Sequence, residues 1–261
     1  MKVATWNVNS VGVRITHLEE FLRTTQPDIL LLQEIKCINE KFPYDALDHL
    51  NYNVYVHGQK TYNGVAILSK YKADDIKINF PDNPIPQEAR FIECSLNTSI
   101  GFCQVISVYV PNGGEVNSEK FHIKLRFFDE LFRYLNSIKS FNANIIIGGD
   151  FNVAPFDIDV YSSSDLKDST CFTLTEKQKM RSIINAGFYD LYRLASLDLQ
   201  EFSWWDYRGG AFDKNLGMRI DMILGSSNIA QNISQVKMHY DMRAKDRPSD
   251  HIPVECTFLK K

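Results

Sequence analysis

Ile145-Ile146-Ile147-Gly148-Gly149-Asp150-Phe151-Asn152 runs an apolar strand straight into an acid and a carboxamide. Three β-branched residues closed by two glycines predict a short strand buried on both faces. Asp150 and Asn152 stand two apart, so on an extended strand end their side chains point to the same side. One is then placed to hold or deprotonate a nucleophile, the other to donate a hydrogen bond to a developing oxyanion. Taken alone, the string reads better as an ordinary strand-terminating turn.

The pattern recurs elsewhere in the chain. Asn7 follows Val3-Ala4-Thr5-Trp6, and Glu34 follows Ile29-Leu30-Leu31-Leu32-Gln33. Asp221 lies inside Arg219-Ile220-Asp221-Met222-Ile223-Leu224, and Asp250-His251 precede Ile252-Pro253-Val254. A buried charge needs a partner or a metal. If these strand ends converge, they offer the hard oxygen ligands that Mg²⁺ prefers. Singly, each residue carries little weight. A glutamate after an apolar strand is usually solvated, a lone histidine is usually structural, and Tyr109 reads as a strand aromatic. Ser249-Asp250-His251 does not read as a hydrolase triad, because adjacent residues cannot normally form one and no G-x-S-x-G elbow is present.

Further strands are predicted at Val54–Val56, Val65–Leu68, Phe91–Leu96, Phe102–Val110 and Val254–Phe258. Val105, Ser107 and Tyr109 alternate with Ile106, Val108 and Val110, and both sets are largely apolar, which suits a sheet covered on both faces. Leu125, Phe128, Leu131, Phe132, Leu135 and Ile138 form an amphipathic helical stripe, and Ile15, Leu18, Phe21 and Leu22 a shorter one. Thr175 with Gln178 reads as a capping box, and Gly187 as the matching C-terminal cap. Two packed sheets with outer helices satisfy the whole pattern.

The 261 residues carry 29 Lys plus Arg against 32 Asp plus Glu, a net charge of −3, and 44% are apolar types. This is a folding composition, and its slight acidity argues against non-specific coating of nucleic acid. An enzyme acidic at a metal site and basic only along its footprint remains compatible with it. No apolar run reaches the roughly 20 residues of a membrane span, and no signal peptide is expected, so a cytoplasmic protein is predicted. The five cysteines are odd in number and form no CxxC pair, so they read as reduced and without zinc. With no linker or repeat in view, one domain is expected over 1–261. In Trp204-Trp205, one indole is expected in the core and the other as an apolar wall. Arg243, Lys245 and Arg247 read as a solvated loop able to meet phosphates.

Five strings occur in order: Thr5-Trp6-Asn7-Val8-Asn9, Pro27 to Lys36, Gly149-Asp150-Phe151-Asn152-Val153-Ala154-Pro155, Asn215 to Asp221, and Pro248-Ser249-Asp250-His251. Together they resemble the exonuclease III family of apurinic/apyrimidinic endonucleases, from Val3 to Phe258. The Gly-Asp-x-Asn and Ser-Asp-His strings are shared with a wider superfamily, which includes deoxyribonuclease I and phosphoesterases acting on inositol phosphates or sphingomyelin. The resemblance implies a deoxyribonuclease I-like four-layer α/β sandwich, two packed mixed β-sheets flanked by helices. It also implies Mg²⁺, or alternatively Mn²⁺, and a double-stranded DNA substrate, cut 5′ to abasic sites or trimmed from 3′ ends, by a monomer. Carried over, it makes Glu34 the main metal ligand, with Asn7, Asp150, Asn152, Asp250 and His251 completing or bordering the metal site. Asp150 would also activate water, and Asn152 would stabilise the transition state. His251, oriented by Asp221, and Tyr109 would contact the scissile phosphate. Arg90, Asn112 and Trp204 would lie near DNA, with Met218 and Ile220 joining Trp204 around an extruded abasic sugar. Leu191 and Leu194 depart from the family signature, and Met218 stands where some relatives carry an aromatic.

Overall fold

The computed structural model describes residues 1–140 and 142–259. The expected span of 1–261 also takes in Phe141, Lys260 and Lys261, which lie outside the described residues. One six-stranded sheet runs in the order β11 (Ile233–Met238), β12 (Val254–Phe258), β1 (Lys2–Asn7), β2 (Ile29–Gln33), β4 (Val65–Ser69), β3 (Asn53–His57). The second runs β5 (Ala73–Ile78), β6 (Phe91–Thr98), β7 (Gly101–Tyr109), β8 (Ile145–Asp150), β10 (Asp221–Gly225), β9 (Tyr189–Asp190). Each sheet is mixed, with a parallel pair at its centre: β1 with β2, and β7 with β8. The helices are α1 (Val11–Thr25), α2 (Tyr44–Leu47), α3 (Glu119–Ile138), α4 (Leu174–Asn185), α5 (Leu191–Ala195) and α6 (Ser227–Ala230).

The two alternating sets of β7 explain the layering. Val105 faces the other sheet, sharing an apolar core with Val3, Ile29, Leu31, Ile67 and Ile146. Ile106, Val108 and Val110 face the opposite way, onto Phe128 and Leu131 of α3 and Met180 and Ile183 of α4. On the outer face of the first sheet, Leu18, Phe21 and Leu22 of α1 cover Ala4, Trp6, Leu30 and Leu32. Four layers result, as expected. Toward one end of the strands the core between the sheets turns polar. Gln33 donates to Ser107 Oγ at 3.0 Å, and Ser107 donates to the Leu32 carbonyl at 3.0 Å.

Differences from the sequence reading are local. Gly148, Gly149 and Asp150 lie inside β8 rather than in a turn. Gly149 is required there, because a Cβ would fall 1.8 Å from the Val108 carbonyl oxygen of the neighbouring strand. The capping box of α4 is Thr173 with Glu176, two residues before Thr175 and Gln178, which are exposed. Glu176 is fully buried and paired with Lys124, and that pairing selects the register. Gly187 follows α4 with φ of 96°, as a C-terminal glycine should. The five cysteines are free. Trp205 is fully buried and Trp204 is not. Leu191 is buried between the sheets, whereas Leu194 is exposed. No described helix is long and apolar enough to cross a membrane.

Candidate active site

The C-terminal ends of β1, β2, β7 and β8 lie at one edge, and β10, antiparallel to β8, begins there. Register places Asp150 beside both Tyr109 and Asp221. Asn7 closes β1, and Glu34 follows β2 in a left-handed conformation, φ 50°. His251 arrives from the segment before β12, bridged to Trp204. One carboxylate or imidazole atom from each of Glu34, Asp150 and His251 falls within 4.8 Å of the others, although the three are far apart in sequence.

Hydrogen bonds hold this cluster in place. Asn7 Nδ2 donates to Glu34 Oε1 at 2.8 Å and to Asp150 Oδ2 at 2.9 Å, so one amide bridges the two acids. Its Oδ1 accepts from Asn9 N at 3.0 Å. Asp150 Oδ1 accepts from the Asn152 backbone N–H at 2.9 Å, with Asn152 in a left-handed conformation, φ 49°. His251 Nδ1 lies 2.8 Å from Asp221 Oδ2, and Nε2 lies 3.8 Å from Asp150 Oδ2. Ser203 Oγ donates to the same Asp221 oxygen at 2.6 Å and accepts from the Asp221 backbone N–H at 3.0 Å. Ser249 spends its hydroxyl proton on the Asn7 carbonyl, which disposes of a Ser249-His251 relay.

The electrostatics follow from burial and neighbours. Burial pushes the Glu34 carboxyl up, but the Lys36 ammonium at 2.9 Å and the Asn7 amide outweigh it, and the group sits below its ordinary range. Asp150 is fully enclosed, and burial raises its carboxyl; His251 opposes this, while Asp221 and Glu34 add to it. Burial alone would lower His251, yet Asp221 and Asp150 outweigh it and hold the imidazole protonated. Tyr109 is raised by burial and by the carboxylates of Glu34 and Asp150, so its hydroxyl keeps its proton. Asp250 is held low despite burial, by His251 and by donors from Trp204 and Asn9.

A cavity of about 410 Å³ opens over the cluster. Its lining includes the polar Glu34, Tyr109, Asn112, Asp150, Asn152, Asp250 and His251 and the apolar Trp204, Met218 and Ile220. Trp204 Nε1 donates to Asp250 Oδ2 at 3.0 Å, which fixes the indole as a wall. Asn112 Nδ2 donates to Asn152 Oδ1 at 2.9 Å. Of the remaining predicted residues, Asn7 and Asp221 lie behind the lining as supports. Arg90 faces an adjoining groove, its guanidinium 4.6 Å from the Tyr109 ring centroid. Asp250 lines the cavity without joining the three-residue cluster. The sequence reading missed Thr170 and Cys171 in the wall, and Ser203 and Lys124 behind it. Lys245 pairs with Glu20, and Arg243 lies over the Tyr207 and Phe212 rings.

Two mixed sheets with acids, amides and an imidazole gathered at one strand edge define a hydrolase of the deoxyribonuclease I-like class. The sequence matches the Endonuclease/Exonuclease/phosphatase family over residues 4–251, and the chain belongs to that family. Exodeoxyribonuclease III of Haemophilus influenzae is 35% identical, over 99% of this chain and 100% of its own length. A 3′ phosphatase from Neisseria, NExo, solved with a product DNA hairpin, superposes with a TM-score of 0.95 at 35% identity, covering 99% of both chains. An AP endonuclease from Archaeoglobus fulgidus superposes with a TM-score of 0.94 at 34% identity, again over 99% of both. The resemblance read from the five sequence strings is borne out.

Proposed function

We propose that this protein is a Mg²⁺-dependent DNA-repair nuclease that incises DNA 5′ to abasic sites and/or removes nucleotides or blocking groups from 3′ ends. The observation that carries the reading is the meeting of Glu34, Asp150 and His251 at a cavity lined by both polar and apolar side chains. DNA-acting relatives over the full chain length support the substrate class.

The donor set fits the ion, because Glu34 and Asp150 present hard oxygens and Asn7 holds both at a fixed spacing. When bound, Mg²⁺, or Mn²⁺ in its place, supplies Lewis-acid neutralisation of the phosphodiester charge. Glu34 and Asp150 are its principal holders. Asn7 turns its amide nitrogen to the acids, so ligation through its oxygen requires the amide to turn over. Asn152 and Asp250 border the ion. His251 serves better as a donor than as a ligand, since a protonated imidazole has no lone pair to offer.

The chain's own groups perform the rest. Asp150, with a raised carboxyl, orients the attacking water and accepts its proton. His251 Nε2 and the Tyr109 hydroxyl donate to the phosphate oxygens as charge builds in the transition state, and Asn112 adds a neutral amide donor. Asn152, whose amide protons go to the Val110 carbonyl at 3.0 Å and Asp150 Oδ2 at 3.2 Å, adds one by exchanging either bond. Asp221 keeps the imidazole oriented and charged. Trp204, Met218 and Ile220 pack against an extruded sugar. An abasic nucleotide lacks stacking, so moving it into this wall costs less than flipping an intact base, and that difference selects the substrate. Arg90 meets the neighbouring DNA backbone. A cytoplasmic, single-domain monomer goes with this reading.

The test is an end-labelled duplex with one abasic analogue, run beside an undamaged recessed duplex and an inositol phosphate. Incision immediately 5′ to the abasic position, or 3′ trimming, is expected with Mg²⁺ and not with EDTA. Turnover of the inositol phosphate with intact DNA would overturn the proposal in favour of a sister phosphoesterase.

A further inference from the structure

A lysine almost never lies fully buried without a partner, and Lys124 is fully buried on the apolar face of α3. Its ammonium has three protons and three oxygen acceptors, with Cys171 Sγ farther off at 3.9 Å. It donates to the Asn112 carbonyl at 3.0 Å, to the Asn152 carbonyl at 2.6 Å and to the Glu176 carboxylate. Asn112 and Asn152 belong to the segments after β7 and β8, and their side chains, bonded to each other, line the cavity. Glu176 carries the clamp to a third wall, accepting from the Cys171 backbone N–H at 3.1 Å and from Thr173 N–H at 3.0 Å. The turn at Gly113 wraps the lysine stem: its φ is 91°, and a Cβ there would lie 2.9 Å from Lys124 Cδ.

For stability alone, an apolar pair of similar volume fills such a place as well as a buried ion pair. What an apolar pair lacks is a donor that turns two carbonyls inward, and so fixes where the attached carboxamides sit in the cavity lining, with Asn152 Nδ2 on the Val110 carbonyl at 3.0 Å and Asp150 Oδ2 at 3.2 Å. We infer that Lys124 is a positioning residue for the reaction, holding the backbones of Asn112 and Asn152 so that their carboxamides, and through Asn152 the Asp150 carboxylate, keep their places in the cavity that takes the scissile phosphate. This rests on the reading of the cavity as the reaction site. Lys124 touches no substrate; it acts through the two asparagines and, by way of Glu176, through the Cys171 wall.

The experiment compares Lys124→Met/Glu176→Gln in the wild-type and Asn152→Ala backgrounds, measuring kcat and KM on an abasic duplex at saturating Mg²⁺, with a thermal melt of each protein. The double substitution removes both charges, while the amide oxygen introduced by Glu176→Gln keeps an acceptor for one of the two N–H groups, which reach different carboxylate oxygens. A fall in kcat of about 10- to 100-fold with KM little changed is expected, the size of effect that a small misplacement of reacting groups produces. In the Asn152→Ala background the same substitutions should lower kcat by a distinctly smaller factor, because the residue they act through is gone. Should the double variant fail to fold, Lys124→Gln, which keeps a donor, is read in the same two backgrounds. An unchanged kcat, or the same factor in both backgrounds, overturns the inference. Wild-type cleavage by Asn152→Ala alone would instead overturn the assignment of the cavity.

Discussion

Asp221→Asn is the most informative single change, because it keeps the shape of the site and removes one charge. In the native protein His251 Nδ1 and Asp221 Oδ2 are 2.8 Å apart, with Asp221 fully buried. That carboxylate is the first of the groups raising the imidazole against its burial. Without it, His251 falls from its raised value toward the ordinary imidazole value of about 6.5, with Asp150 and Asp250 still pulling it upward. At that ordinary value only about one imidazole in thirty would carry, at pH 8, the proton it donates to phosphate, so the loss in kcat/KM reaches at most roughly 30-fold. Near pH 6 most of the population is protonated again, so the wild-type to variant ratio should shrink toward a few-fold. The ratio cancels any pH dependence of the water or the metal that both proteins share. The same linkage has a stability sign. Because the folded value of His251 is raised, its pairing stabilises the fold fully below about pH 6.5, and the contribution fades as pH climbs through the raised value. The assay is steady-state incision of an abasic duplex between pH 6 and 9 with both proteins. A ratio flat across that range would refute the protonated-donor role of His251.

Other outcomes follow from the same geometry. Glu34→Gln should raise the Mg²⁺ concentration for half-maximal cleavage on the order of 100-fold, read from a metal titration, and an unmoved midpoint would exclude Glu34 as a ligand. Trp204→Ala removes the apolar wall and the donor to Asp250, so KM for an abasic duplex should rise about 10-fold, in line with the ~1–3 kcal/mol of an aromatic contact to a nucleotide. Glu255 is buried, and although burial raises its carboxyl, His239 at 3.1 Å outweighs this and holds it below its ordinary value of 4.5. Its stabilisation is therefore present above that pH and lost as pH falls through the lowered value, so Glu255→Gln should lower Tm at pH 7 and flatten the decline of Tm on acidification. An equal Tm deficit at pH 7 and pH 3 would contradict the pairing.

The site was legible in the sequence wherever a polar residue interrupts or ends a strand buried on both faces. Asn7, Glu34, Asp150 and Asp221 stand out because an acid or amide in that context needs a reason. The strands that escaped notice lie at sheet edges. In β5, Asp74 and Asp75 face solvent and pairing is with β6 alone, so no apolar alternation survives. β11 is likewise an edge strand of largely exposed or half-buried residues. Lys124 and Ser203 were not legible for a different reason. A lysine or serine in a sequence is ordinarily solvated, and only the packing of α3 under two loops, or of the Ser203 segment against β10, gives either one a buried partner. The capping box shows the same dependence, since two overlapping patterns fit the local rule and a partner on α3 decides between them.

The central claim is that distant segments meet around a divalent cation at a nucleic-acid linkage. Anomalous diffraction from crystals grown with Mn²⁺ and an abasic-analogue duplex tests it most directly. A peak between the Glu34 and Asp150 carboxylates, beside the phosphate 5′ to the analogue and absent in Glu34→Gln, is the predicted result. Cleavage-competent crystals with no ion there would contradict it.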